Sequence, residues 1–297
     1  MSGEPKATVE PEEQPVCFHV VCLIDVLGQK QKLAQWARPP DDKEAARAFA
    51  QSLDDTVHVL RTLRDTFVQW FEDKKKPKVP QRLAKSPGSL QARYSRLRRC
   101  DIRVERFSDT FVFSSPVLNE HGDTSVMPAM RMLMACHMAM ILSLAGGVPL
   151  RGALTIGLVN VLPDKSIYGP ALAEGHHLES EIAGYPRIVV SKGMRDFLAT
   201  GQPRSRDSHI DGAMETLAST CRGCLSEDVD GQWIFDYLGD GAREAFGLFP
   251  GMPKVAEEAL TFARSEGERF RQAGNSKLAL RYHLLESYIT CRMDLWR

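Results

Sequence analysis

The stretch RVERFSDTFVFSSP, Arg103 to Pro116, consists of two runs that are typical of β-strands with an aspartate between them. Valine, phenylalanine and threonine favour extended backbone, whereas aspartate is common in turns. The stretch therefore predicts a β-hairpin with Asp109 at its tip. A buried carboxylate is costly unless it reaches water, a positive partner or a metal ion. The partner of Asp109 is thus central to the function.

A second aspartate stands at the end of the first strong strand. The run VCFHVVCLIDVLG, Val16 to Gly28, is apolar and rich in β-branched residues, as in a central strand buried on both faces. Its Asp25 can lie beside the hairpin tip when the sheet forms. Two carboxylates without a cation would repel each other, whereas Mg²⁺ or Mn²⁺ would keep both ionised and still bind phosphate oxygens. The pair therefore predicts a metal and phosphate site.

The remaining pattern alternates helices and strands. A helix is predicted from Asp41 to about Asp73, and a buried, methionine-rich helix from Met127 to Gly147. A strand from Pro149 to Pro163 follows, and Ser166 to Ser191 is interpreted as a strand end, a glycine turn, a helix and a short strand. This order predicts an α+β fold, with helices packed on one mixed sheet and further helices at the C-terminus.

Three segments are expected along the chain: a disordered tail over 1–15, a catalytic domain over 16–240 and a helical extension over 241–297. Residues 74–99 contain no acidic residue and are rich in lysine, arginine, proline, glycine and serine, which predicts a mobile basic linker. A flap over a polyphosphate and a nucleic-acid patch are the alternatives. The scarcity of aromatic residues argues against nucleic acid.

Charge and cysteine content favour an ordinary cytoplasmic protein. The 297 residues include 38 basic and 38 acidic side chains, which argues against a nucleic-acid coat or a membrane-surface protein. The seven cysteines are scattered, and the polar N-terminus has no signal-peptide core, so we expect reduced thiols. Cys221 and Cys224 form a single CxxC, whereas a structural zinc site usually needs four ligands.

The segments VCLIDVLG, RFSDTFVFSS and RGALTIGLVN, followed by SIYGPALAEGHHLESEIAGYPRIVVS, resemble the catalytic core of class III nucleotidyl cyclases in order and spacing. The resemblance covers roughly Val16 to Ser191 and implies a ferredoxin-like sheet. In that family two aspartates and a backbone carbonyl hold two divalent ions, Mn²⁺ or Mg²⁺, on a nucleoside triphosphate. The matching positions here are Asp25, the carbonyl of Val26 and Asp109. One ion would activate the ribose 3′-hydroxyl, and the other would neutralise the departing pyrophosphate.

Two positions read the base in purine cyclases of this family, and they match Glu105 and Ser166 here. Adenylyl enzymes typically have Lys and Asp at these positions, and guanylyl enzymes have Glu and Cys. The pair in this chain fits neither set fully. Gly28 and Arg151 are further candidates for nucleotide binding.

The family's transition-state helix normally carries an Asn and, four residues later, an Arg, where this chain has Ala173 and His177. Alanine cannot donate a hydrogen bond, and a histidine is positive only when protonated. His177 is the catalytic candidate by position. Other cations could replace the arginine, and they are Arg106, Arg151, Arg187, His176 and the basic linker.

Among class III enzymes the chain most resembles the bacterial Pycsar pyrimidine cyclases. The resemblance implies synthesis of cyclic UMP or cyclic CMP during phage infection, a separate effector protein, and a homodimer with active sites at its interface. Uracil offers an N3–H donor to the Glu105 carboxylate, so UTP is favoured over CTP, although the cytosine amino group could also donate. A purine cyclase and a degenerate cyclase fold that senses nucleotides are the alternatives. Neither nucleic acid nor a membrane is an expected partner.

Overall fold

A computed structural model describes most of the chain. The described residues are 16–29, 38–72, 87–118, 122–164, 166–200, 208–247 and 251–296. The predicted tail over 1–15 and the first part of the predicted linker, 74–86, lie outside them.

Eight strands of the described residues form one mixed sheet. They are β1 (Val16–Val26), β2 (Arg103–Phe107), β3 (Thr110–Pro116), β4 (Leu150–Val161), β5 (Ile167–Tyr168), β6 (Ile188–Val190), β7 (Leu225–Glu227) and β8 (Trp233–Phe235). The order is β2-β3-β1-β4-β6-β8-β7, and β5 pairs with β4 outside this path. The β4–β6 pair is parallel, and the other pairs are antiparallel.

Helices connect the strands and follow them. They are α1 (Lys43–Phe71), α2 (Gly88–Leu97), α3 (Met127–Ala145), α4 (Pro170–His177), α5 (Lys192–Thr200), α6 (Ser208–Gly223), α7 (Asp240–Phe246), α8 (Met252–Gln272) and α9 (Ser276–Thr290). A π-helical segment, Leu178–Ile182, continues α4, and a 3₁₀ turn, Met293–Trp296, follows α9. The mixed sheet with packed helices is compatible with the predicted α+β class.

The first four strands form a βαββαβ unit, in which β1 lies between β3 and β4. Helices α1 and α2 lie between β1 and the hairpin, and α3 connects the hairpin to β4. The strand order within this unit is β2-β3-β1-β4. It places the end of β1 between the hairpin tip and the start of β4.

The two faces of β1 have different roles because successive side chains of a strand point to opposite faces. Val20, Cys22 and Ile24 belong to the main hydrophobic core with residues of α1 and α3. Val21 and Leu23 pack on the opposite face, with residues of β4, β5 and α4. Asp25 shares this second face, which is therefore the face that carries the candidate site.

Helix α3 is a core helix, as predicted. By length and composition it could cross a membrane, but 72% of its most apolar window is buried inside the fold. The helix ends at Gly146, and Gly147 follows with φ of +75°. That left-handed conformation favours glycine and stops the helix.

The prediction of a mobile linker over 74–99 is wrong for its second half, because Gly88–Leu97 is the helix α2. Tyr94 and Leu97 are buried, and Leu97 packs with Ile210 and Met214 of α6. The basic composition of the segment obscured an apolar face at helical spacing. The tertiary partner that stabilises the helix lies more than a hundred residues further along the chain.

The C-terminal helices share the main core with the sheet. Trp296 is buried, and its indole N–H donates to the carbonyl of Leu238 at 2.7 Å. Arg292 forms a two-pronged ion pair with Asp236, at 2.6 and 2.9 Å. The helices predicted for 241–297 therefore pack on the predicted catalytic region.

Candidate functional site

The structure brings Asp25 and Asp109 together at one end of the sheet. Ser108 and Asp109 form a two-residue turn between the paired residues Phe107 and Thr110. The φ of +56° at Ser108 is the sign that the first residue of a type II′ hairpin turn requires. The backbone N–H of Val26 donates to the Asp109 carbonyl at 3.2 Å, which fixes the turn beside the end of β1.

Asp25 is half-buried between two cross-strand neighbours, Thr110 on β3 and Arg151 on β4. The Thr110 hydroxyl donates to Asp25 Oδ1 at 3.0 Å, and Arg151 Nη2 lies 3.5 Å from Oδ2. Burial raises the pKa of Asp25, the Thr110 hydrogen bond lowers it, the charge of Asp109 raises it, and Arg151 lowers it. The net shift is upward, so these neighbours do not fully offset the cost of burying this charge.

Arg151 binds a third carboxylate, Glu179, more closely than it binds Asp25. Its Nη2 and Nε lie 2.5 and 2.8 Å from Glu179 Oε1. Glu179 is only 4% exposed and lies in the π-helical segment after α4. Burial raises the pKa of Glu179, and the charge of Arg151 counteracts that rise. Glu179 was not predicted from the sequence. The only signal was Arg151, a charged residue within a strand, which indicates that a carboxylate lies nearby but not which one.

The balance of charge and the donor types suit a hard divalent cation. If ionised, Asp25, Asp109 and Glu179 carry three negative charges against the one positive charge of Arg151, which leaves two negative charges uncompensated among these four groups. The N–H and C=O of a paired strand residue point to the same side, so the Val26 carbonyl is directed towards the hairpin. In the part of the chain that is described, no group of three or more histidine, cysteine or acidic side chains could by itself hold a metal. Mg²⁺ commonly binds through one or two carboxylates together with substrate phosphates.

The two candidate base-reading positions also come together. Glu105 Oε2 accepts from the backbone N–H of Ile167 at 3.4 Å, next to Ser166. Glu105 Oε1 is buried and has no hydrogen-bond partner among the described residues. Burial raises the pKa of Glu105. The Ser166 hydroxyl and N–H donate to the Asp164 carboxylate at 2.6 and 2.9 Å.

Helix α4 turns its proposed transition-state positions away from the sheet. Gly175 faces β1, and a Cβ there would lie 2.4 Å from Leu23 Cδ1. Ala173 and His177 are exposed on the opposite side of the helix, and His176 is exposed as well. The structure therefore does not bring His177 to the Asp25 of the same chain.

The other candidates have separate surroundings. Arg187 is buried and forms ion pairs with Asp228 and Asp230, in a network distinct from Asp25. Arg106 is exposed on β2. Gly28 is exposed in the turn after β1, with φ of +89°. Among the candidate cations that the structure describes, Arg151 is the one in contact with Asp25.

Two cavities of about 460 and 300 Å³ lie elsewhere in the fold. The first is between α6 and α7, and the second lies among Tyr185, Arg187 and residues of α9. Neither is lined by Asp25 or Asp109. Asp25 and Asp109 are both partly exposed at one end of the sheet, where a large, charged substrate could reach them.

The chain matches no known protein-family model and no curated protein.

Proposed function

We propose that the protein is a nucleotidyl cyclase that converts a pyrimidine nucleoside triphosphate, UTP in preference to CTP, into its 3′,5′-cyclic monophosphate and pyrophosphate. The observation that carries the proposal is that Asp25 and Asp109 meet at the end of β1, where Asp25 lies opposite Thr110 and the Val26 N–H donates to the Asp109 carbonyl. This pairing supports the resemblance to class III cyclases. Such a site has no need of a protein nucleophile, because the attacking group belongs to the ribose.

Asp25, Asp109 and the Val26 carbonyl would hold two Mg²⁺ or Mn²⁺ ions. When bound, the ions supply Lewis-acid activation of the 3′-hydroxyl and neutralise charge on the leaving pyrophosphate. Thr110 orients the Asp25 carboxylate through its 3.0 Å hydrogen bond. Arg151 contributes a positive charge at the same edge, where the triphosphate would lie.

Glu105 is the proposed base-reading residue. Its buried Oε1 atom accepts no hydrogen bond from the described residues, so a donor from the ligand would satisfy it. Uracil N3–H and the cytosine amino group are both suitable donors. Ser166 lies next to the residue that donates to the other Glu105 oxygen, so both positions would face one base.

A homodimer with active sites at its interface is part of the proposal. Ala173 and His177 face outwards, so His177 would serve the site of a second copy. Two apolar side chains near the site are unusually open, Phe107 at 84% exposure and Tyr168 at 70%. Exposed aromatic residues beside polar groups are a common feature of protein interfaces. Contact with a second copy would cover them.

The biological setting is proposed from the resemblance alone. A cytoplasmic enzyme of this class would generate a cyclic nucleotide signal during phage infection, and a separate effector protein would respond to it. The buried helix α3 is consistent with a soluble protein.

The direct test incubates pure protein and Mn²⁺ with ATP, GTP, CTP or UTP labelled at the α-phosphate. The expected result is a phosphatase-resistant cyclic product from UTP, with less from CTP and little from the purines. A preference for GTP or ATP would establish a purine cyclase, which Glu105 in the guanylyl-like position favours. Absence of product from all four would overturn the enzyme proposal.

A nucleotide sensor on a degenerate cyclase fold is the second candidate. The replacement at Ala173, which is exposed and cannot donate a hydrogen bond, favours it. Binding of a triphosphate without turnover would establish this function, whereas rapid metal-dependent turnover would exclude it.

A further inference from the structure

Arg151 lies between two carboxylates but is not shared equally. Its two contacts with Glu179 Oε1, at 2.5 and 2.8 Å, are both at hydrogen-bonding distance. Its nearest approach to Asp25 Oδ2 is 3.5 Å, which is an ion pair without a tight hydrogen bond. The same atom, Nη2, makes both approaches, and it lies closer to Glu179 than to Asp25.

This asymmetry matters for the free oxygen of Asp25. Oδ1 already accepts from Thr110, so Oδ2 is the atom with more capacity to bind a cation. A guanidinium that closed fully on Asp25 would compete for that atom, because arginine pairs strongly with carboxylates. In the observed arrangement Glu179 limits this competition.

The position of Glu179 depends on the π-helical segment Leu178–Ile182. Such segments are rare and frequently occur at functional sites. Burying an ion pair is also a poor route to stability, because desolvation offsets much of the attraction. The buried pair of Glu179 and Arg151 is therefore better explained by what it does to Asp25 than by stabilisation of the fold.

We infer that Glu179 is a positioning residue, which keeps Arg151 off Asp25 so that Asp25 Oδ2 remains available to a divalent cation. This inference rests on the proposed function, because it assumes that Asp25 is a metal ligand. It assigns Glu179 no contact with the substrate or with the metal.

The test measures binding of Mn²⁺ alone to the full chain, from the electron paramagnetic resonance signal of the free ion. Glu179→Gln keeps the shape of the side chain but removes its charge, and Arg151 should then close on Asp25. We expect Mn²⁺ affinity to fall about tenfold, as for other residues that orient a metal ligand. Arg151→Met removes the competing cation and should bind Mn²⁺ at least as tightly as the wild type.

The double variant Glu179→Gln with Arg151→Met provides the decisive comparison. Without a cation to restrain, loss of Glu179 should no longer matter, so Mn²⁺ affinity should return close to the wild-type value. Asp228→Asn is the matched control, because it removes another buried carboxylate that pairs with an arginine, Arg187, outside the site. It should lower thermal stability without changing Mn²⁺ affinity.

Unchanged affinity in Glu179→Gln, or a double variant as weak as this single variant, would overturn the inference while leaving the metal site intact. Weaker binding by Arg151→Met would also overturn it, and this variant decides the matter if Glu179→Gln does not fold. Failure of the wild type to bind Mn²⁺ is a different result, since it would remove the metal site of the proposed function and the inference with it.

Discussion

Thr110 lies directly opposite Asp25 in the β1–β3 ladder, and its hydroxyl donates to the Asp25 carboxylate at 3.0 Å. Arg151 lies opposite Asp25 on the other side, in β4. The aspartate is thus positioned by three adjacent strands of the sheet. A site built on strands is held more precisely than one built on loops.

Replacement of either aspartate should abolish turnover without unfolding the protein. Asp25→Ala and Asp109→Ala each remove a charged metal ligand, and little core volume is lost. We expect a fall in metal-dependent kcat of about a thousandfold or more, because several kcal/mol of transition-state stabilisation is lost. Cyclase activity and thermal unfolding, measured side by side, would check this. Near-full activity in either variant would refute the two-metal assignment.

Glu105→Gln should lower activity with UTP more than it lowers activity with the poorer substrates, and so change the preference for the base. An amide oxygen accepts more weakly than a carboxylate, and the amide NH₂ would face the N–H donor of uracil. We expect kcat/KM for UTP to fall about tenfold to a hundredfold, as for loss of a hydrogen bond to a charged group. Competition between UTP and CTP measures the effect. An equal loss for all four nucleotides would instead indicate a structural role for Glu105.

Gly152→Ala should be destabilising, because a Cβ there would lie 2.4 Å from the backbone carbonyl oxygen of Leu23. Strands β1 and β4 would have to separate next to Asp25 and Arg151. We expect a loss of about 1 to 3 kcal/mol in the free energy of unfolding, together with lower activity. Urea denaturation would measure the loss. The matched control is Gly212→Ala in α6, where a Cβ meets nothing within 4 Å and should stabilise the helix slightly.

Stability should decrease on acidification, because two histidines are buried in the neutral form. Burial lowers the pKa of His137 and of His19 to about 4 in each case. His137 Nδ1 donates to the Tyr237 carbonyl at 2.8 Å, while Nε2 is buried without a partner among the described residues. An unfolded histidine has a pKa of about 6.5, so the unfolded state binds more protons between these values. Stability is therefore retained above pH ~6.5 and falls towards pH 4, by up to about 3 kcal/mol for each histidine.

Denaturation of His137→Gln across this range should show a shallower dependence on pH than the wild type. His283→Gln, at an exposed position of α9, is the control and should leave the slope unchanged. An identical slope in His137→Gln and the wild type would contradict the assignment of His137 as a buried neutral group.

The sequence predicted those features that depend on local pattern. The apolar run before Asp25 and the polar break at Asp109 fixed a strand end and a hairpin tip, and their meeting follows from pairing of the strands. Glu179 was not predictable in the same way. Its contact with Arg151 depends on a π-helical turn, which has no recognised sequence pattern, and on packing between elements 28 residues apart. Helix α2 was missed because its few apolar residues lie within a segment, 74–99, that is rich in lysine, arginine, proline, glycine and serine.

The π-helical segment Leu178–Ile182 also bears on how such a site could arise or disappear in evolution. A π-helical turn contains one residue more than an α-helical turn needs. Deletion of Leu178 would restore the α-helical repeat and rotate Glu179 by about 100° around the helix axis relative to α4. Arg151 would then lose its partner although every other residue of the site was retained. A single-codon deletion could therefore disable this site without substituting any residue in it.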